Sequence, residues 1–104
     1  MPLEHVVVKT KDGITIIGNY YSGRKDLPCI LLLHQFNSNK ESWLPLLSEL
    51  QKNNFNILAI DLRGHGESKK EKNVFLMRDQ DFRNMELDVS AVKEKFQLKN
   101  FWII

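Results

Sequence analysis

Apolar residues fall along this chain in runs of two kinds, and their spacing predicts strands and helices in alternation. Leu3 to Tyr21 reads as a β-hairpin: Val6-Val7-Val8 is β-branched, Lys11-Asp12-Gly13 offers a turn, and Ile14-Thr15-Ile16-Ile17 resumes the strand. Asp-Gly suits such a turn because glycine takes positive φ without steric cost and aspartate tolerates it. Beyond the polar stretch Ser22 to Pro28, Cys29-Ile30-Leu31-Leu32-Leu33 is apolar without alternation, the mark of a strand covered on both faces. Phe55 to Ile60 repeats that pattern. Between the two, Trp43, Leu46, Leu47 and Leu50 recur at i, i+3, i+4 and i+7, one face of a helix. Ser42 is the candidate N-cap, Pro45 falls in the first turn, and Asn53-Asn54 supplies a left-handed stop. A charged stretch runs to about Gln80. Phe82, Met85, Val89, Val92 and Phe96 then mark a second amphipathic helix. Leu98-Lys99-Asn100 predicts a turn into a last apolar strand, Phe101-Trp102-Ile103-Ile104.

The order β-hairpin, β, α, β, α, β predicts an α/β fold with right-handed crossovers, a mostly parallel sheet and helices on both faces. Residues 1–104 hold no internal repeat or linker, so they are expected to form one domain, or part of one, with no second domain. Composition narrows the class. A chain 42% hydrophobic and 27% charged has the balance of a soluble globular protein. The formal net charge of +2 is scattered, whereas a nucleic-acid surface would gather it, so no nucleic-acid partner is expected. Lys69-Lys70-Glu71-Lys72 reads as a solvated loop. The single cysteine, Cys29, excludes an internal disulfide and sits where a small buried hydrophobe belongs. No apolar run nears the ~20 residues that span a bilayer, and the N-terminus lacks the pattern of a signal peptide. A cytoplasmic protein that does not engage membranes is the expectation.

In open α/β sheets, ligands bind outside the C-terminal ends of the strands. Here those ends are the loops that begin at His34 and at Asp61. His34-Gln35-Phe36-Asn37-Ser38-Asn39 contains no glycine, so it is not a dinucleotide-binding turn, and the phosphate-binding G-x-x-x-x-G-K-[ST] pattern is absent. His5, His34 and His65 have no metal-ligand spacing. No metal or cofactor is expected.

Two segments carry a resemblance. Leu31-Leu32-Leu33-His34-Gln35-Phe36 resembles strand 3 and the oxyanion loop of the α/β-hydrolase fold family. Leu58-Ala59-Ile60-Asp61-Leu62-Arg63-Gly64-His65-Gly66-Glu67-Ser68 resembles that family's D-x-R-G-H-G-x-S signature after strand 4. The hairpin, helices A and B and strand 5 follow in family order. The resemblance therefore covers the whole chain but only the family's N-terminal part, strands 1 to 5, and is nearest to esterase/lipase or serine-aminopeptidase-like members.

That resemblance implies a particular chemistry. The family presents a serine on a sharp G-x-S-x-G turn after strand 5, activates it through a histidine oriented by an acid, and holds the oxyanion with two backbone N–H groups. The five glycines here, Gly13, Gly18, Gly23, Gly64 and Gly66, include no two at the spacing G-x-S-x-G needs. Nucleophile, acid and base are thus all missing from these residues. What carries over by position is the oxyanion loop of His34 and Gln35, with the Phe36 backbone N–H as donor. Gln35 stands where the family most often has glycine. His34 is expected to shape that loop, and His65 to be structural. Asp61 and Arg63 are expected to hydrogen-bond neighbouring backbone, and Gly64 and Gly66 to adopt positive φ. The implied function is that of a serine-hydrolase fragment whose full-length parent acts on small-molecule ester or acyl substrates. Alone, such a fragment would be inactive, and it would fold marginally, oligomerise or depend on a second polypeptide. The alternative is a short, non-catalytic α/β protein that pairs with itself or a partner through residues 101–104.

Overall fold

The computed structural model describes residues 3–96 and 101–104; the turn predicted at Leu98-Lys99-Asn100 lies outside them. The five apolar runs form five strands: β1 (Leu3–Lys9), β2 (Thr15–Tyr21), β3 (Cys29–Leu33), β4 (Asn56–Ile60) and β5 (Phe101–Ile103). They lie in the order β1-β2-β4-β3-β5 within one sheet. The hairpin is antiparallel, Val6 facing Gly18, and turns at Gly13 with φ 85°. It joins the sheet antiparallel to β4, with Gly18 opposite Ile60. β3 runs parallel to β4 on one side and to β5 on the other.

Among the described residues the helices are α1 (Leu44–Lys52), α2 (Asp79–Arg83) and α3 (Glu86–Phe96), of which α1 and α3 pack on the sheet. The non-alternating strands explain why two faces are needed. Cys29 and Leu31 point to one side and pack with Leu58, Ile60, Val6 and Val92, the side of α3. Ile30 and Leu32 point to the other and pack with Ile57, Ala59 and Leu47, the side of α1. Ile30, Leu31 and Leu32 are essentially inaccessible, each burial stabilising the fold by roughly 1.5–3 kcal/mol.

Two helix boundaries differ from the sequence reading. Ser42 does not cap the first helix. Asn39, in extended conformation, accepts the Glu41 N–H at Oδ1 (3.0 Å) and starts a 3-10 turn, Lys40–Trp43, that leads into α1. Pro45 does fall in the first turn of α1, and Asn54, with φ 61°, is the left-handed residue after it. The second helix is broken in two. The Asp81 carboxylate accepts the Arg78 N–H (2.8 Å) at the start of α2, and Asn84 ends it. Val89 and Val92 then meet the core from α3, whereas Phe82 on α2 remains partly exposed. The charged stretch before α2 also holds a short 3-10 turn, Val74–Leu76, packed by the buried Val74.

Candidate active-site loops at the ends of the central strands

Parallel β3 and β4 deliver two loops side by side, residues 34–39 and 61–68, and a histidine from each joins it to the other. His34 closes β3. Its Nδ1 lies 2.7 Å from the Gln35 carbonyl, and its Nε2 accepts the Leu62 N–H (3.0 Å). His65 answers from the opposite loop, with Nδ1 at 2.9 Å from the Arg63 carbonyl and Nε2 accepting the Asn37 N–H (2.9 Å). A ring nitrogen facing a carbonyl must donate and one facing an N–H must accept, so both imidazoles are neutral Nδ1–H tautomers. Both are buried, with ring centroids 4.8 Å apart. Burial holds the His34 imidazolium pKa below the ordinary histidine range.

Asp61 makes a second connection. Its fully buried carboxylate accepts the Lys40 N–H (2.7 Å), the Glu67 N–H (2.9 Å) and the Lys40 Nζ (2.8 Å). The Lys40 ammonium also reaches Glu67 at 2.5 Å and Glu41 at 3.3 Å. Burial opposes its charge, but the Asp61 and Glu67 carboxylates outweigh burial and raise its pKa. Gly66, with φ 49°, is needed here on two counts: a Cβ would fall on the Asp61 carboxylate, and the left-handed conformation disfavours one. Gly64 is also left-handed, at φ 79°.

Arg63 departs from expectation. Its side chain does not bond neighbouring backbone but bridges two distant acids. Nε and Nη2 each lie 2.9 Å from Asp88 Oδ1 on α3, while Nη1 and Nη2 lie 2.6 and 3.0 Å from the Asp12 carboxylate in the hairpin turn. Carboxylates thus meet both edges of the guanidinium fork with charge-assisted hydrogen bonds. Its hydrogen bonds hold the Asp12 carboxyl down at about 2. Ser68 completes the framework by accepting the Ile17 N–H at Oγ (2.8 Å). The 61–68 loop is thus a structural element, as its motif suggested, with ties to the hairpin, to α3 and to the neighbouring loop.

Held in this frame, the 34–39 loop turns tightly at its tip. The Ser38 N–H donates to the Gln35 carbonyl (3.1 Å), and Asn37 sits at φ 59°. Phe36 is at the apex and is 65% exposed. Its ring meets Phe82 and the edge of His65, each at 5.9 Å between centroids. Among the described residues, no acceptor engages the Phe36 N–H. A hollow of about 250 Å³ lined by Gln35, Ser38, Ser42 and Trp43 lies beside the loop. The end of β5 arrives next to it, the Leu33 N–H donating to the Ile104 carbonyl (2.9 Å) and the Ile104 N–H to the Leu31 carbonyl (3.0 Å).

The remaining sequence candidates lie elsewhere. His5 is exposed on β1 and meets Asn19 at 3.0 Å. Cys29 is buried in β3, where burial pushes its thiol up to about 11, the opposite of an activated nucleophile. Lys40, Asp12 and Asp88 are all central to the site's framework, yet the sequence reading marks none of them as a site residue and gives Asp12 only a place in the hairpin turn. One signal existed for Asp88, an acid placed three residues after Met85 and four before Val92 on an otherwise apolar helix face. Among the described residues no helix is long and apolar enough to cross a membrane.

Strand order, paired loops and the turn after β3 are those of a hydrolase scaffold, and comparison agrees. The family model described as the alpha/beta hydrolase fold matches residues 28–104. This chain belongs to the α/β hydrolase fold family. It is 38% identical over 61 residues to thiohydrolase aneE of Aspergillus aculeatus, an alignment covering 58% of this chain and 19% of the relative. Over 64 residues it is 38% identical to epoxide hydrolase 4 of Mus musculus, covering 62% and 18%. Among solved structures, an esterase from Exiguobacterium antarcticum superposes with a TM-score of 0.79 at 18% identity, covering 96% of this chain and 34% of that one. At that identity the superposition speaks for the fold alone. The chain spans about a fifth of the length of these curated relatives.

Proposed function

We propose that these residues form the oxyanion side of a serine-hydrolase active site whose protein cleaves small-molecule esters or related acyl compounds through an acyl-enzyme. The observation that carries this reading is the Phe36 N–H, which stands at the tip of a braced loop with no acceptor among the described residues. A preorganised backbone donor left unpaired at the tip of a braced loop is the kind of group that stabilises a developing oxyanion. The register of β5 supports it, because Ile104 ends beside Leu33 and so brings any residue that follows it next to that loop. Nucleophile, acid and base then lie outside these 104 residues, and the chain alone is catalytically silent. Relatives named for thiohydrolase and epoxide-hydrolase activity leave the scissile bond open between ester, thioester and other electrophiles.

The test uses the chain alone and a chimaera in which it replaces the equivalent third of a solved esterase. The chain alone should neither hydrolyse p-nitrophenyl acetate nor take up a serine-reactive fluorophosphonate. In the chimaera, Phe36→Pro removes the N–H and should lower kcat by about 10²–10³. Fluorophosphonate labelling of the isolated chain, or a chimaera indifferent to Phe36→Pro, would overturn the assignment.

A second reading is favoured by β5 itself. Trp102, Ile103 and Ile104 are each about half exposed, and among the described residues β5 pairs only with β3. An apolar edge of that kind templates strand addition, so the chain would associate with itself or a partner through residues 101–104. Concentration-dependent size exclusion that Trp102→Lys abolishes would support this reading; a monomer at all concentrations would refute it.

A further inference from the structure

The two buried histidines do more than fill space between the loops. Each donates from Nδ1 to a carbonyl of its own loop and accepts at Nε2 from an N–H of the other: His34 from Leu62, His65 from Asn37. Asn37 is the left-handed residue directly after Phe36, so the His65 bond fixes the peptide next to the proposed oxyanion donor. We infer that His34 and His65 form a reciprocal latch that sets the Phe36 loop in its working shape and releases it when either ring takes a proton. This inference rests on the proposed function for its catalytic meaning, but the latch itself is a property of the chain without substrate.

The argument is one of donors and acceptors. A protonated ring has N–H groups on both nitrogens. Its Nε2–H would then face the Leu62 or Asn37 N–H, donor against donor, and the backbone amide would lose its partner in a part-buried site. A proton on one ring also raises the cost of a second on its neighbour, since the centroids are 4.8 Å apart. The charged groups around the pair do not rescue the cation. Asp61 and Glu41 favour it at His34, but Asp61 is already saturated by Lys40 and by two backbone N–H groups. Glu67 is turned to Lys40, and the Arg63 guanidinium is turned to Asp12 and Asp88. Both rings are therefore built to work neutral, and the loop they hold is acid-labile.

The measurement is a pH titration of the ¹⁵N-labelled chain from pH 8 to 5, following imidazole nitrogens and backbone amides by NMR. At pH 8, His34 and His65 should both show the Nδ1–H tautomer, with His5 as the exposed control. On acidification the Leu62 and Asn37 amide signals should shift together with the imidazoles, and the protection of both amides against hydrogen exchange, corrected for the intrinsic rate at each pH, should fall at least tenfold. The His5 titration should leave them unmoved. An Nε2–H tautomer at either buried ring, or protonation that leaves Leu62 and Asn37 undisturbed, would overturn the latch. A latch that behaves as expected beside a chimaera indifferent to Phe36→Pro would refute the function and retain the latch.

Discussion

Replacing Arg63 with methionine should be the most damaging single change in the polar framework. The wild-type guanidinium is 4% exposed and spans two acids, of which Asp88 is inaccessible and Asp12 is 30% exposed. Methionine keeps much of the volume but leaves the Asp88 carboxylate with one backbone N–H, that of position 63 at 2.8 Å. Orphaning a buried charge costs about 3–5 kcal/mol, a large share of the roughly 5–15 kcal/mol that holds a domain of ordinary stability. Asp12→Asn, by contrast, removes a partly solvated partner and should cost at most about 1 kcal/mol. The Arg63→Met/Asp88→Asn double variant removes the stranded charge and should recover more than half of the loss. Burial already raises the Asp88 carboxyl against the pull of Arg63. Without the guanidinium that carboxyl should protonate more readily still, and the gap between Arg63→Met and wild type should narrow between pH 7 and pH 5. Urea denaturation followed by tryptophan fluorescence reads all four proteins. A loss below about 1 kcal/mol for Arg63→Met, or a double variant less stable than Arg63→Met, would refute the reasoning.

Gly66→Ala should destabilise by at least about 1–2 kcal/mol from the left-handed backbone alone, with a further loss because its Cβ falls on the Asp61 carboxylate; the same urea assay measures it, and a neutral outcome would mean that the loop can move aside. Stability should also fall with pH through the histidine range. His34 has a lowered pKa in the fold because of burial, so the unfolded chain binds the proton first. The contribution is complete above about pH 6.5 and is lost below it, at up to about 1.4 kcal/mol per pH unit. The Asp12 carboxyl, held at about 2 chiefly by its hydrogen bond from Arg63, adds stability above the ordinary carboxylate range that is lost as pH falls toward that value. Midpoints from thermal melts at pH 8, 6.5, 5 and 3 check both signs, and a midpoint that is flat between pH 8 and 5 would contradict the first.

What the sequence made legible was whatever is written locally. Cys29–Leu33 announces a strand buried on both faces because five consecutive apolar residues leave no solvent side. Asp12-Gly13 and Asn54 announce left-handed turns because few other residues tolerate them. The 61–68 segment is recognisable because each of its glycines meets a requirement of that one loop. Less visible was anything that depends on a partner far along the chain. Arg63 finds Asp12 and Asp88 through the fold, and Lys40 finds Asp61 the same way, leaving no period or spacing to read. Lys40 is the sharpest case, a residue type that predicts solvent yet is 4% exposed, its ammonium met by three carboxylates. Asn39 took the start of the first helical segment from Ser42 for a related reason. Both have short polar side chains, and the choice was made by the loop geometry that places Asn39 in extended conformation, where its Oδ1 reaches the Glu41 N–H.

The place of β4 in the sheet has a consequence for the order of events during synthesis. β1 and β2 emerge first and can pair at once, but their neighbour in space is not the next strand in sequence. β3 comes off the ribosome with nowhere to dock, since β4 must lie between it and β2. The inner edge of β2 therefore waits through α1 until Ile57–Ile60 appears and pairs antiparallel to it, and the same strand then accepts β3 in parallel on its other side. One short, wholly apolar segment thereby converts two separate pieces into a sheet, and contacts of that span are slow to form. A pause in translation before β4 would hold the inner edge of β2 and both edges of β3 exposed together, and that interval is when this chain is most open to wrong pairing.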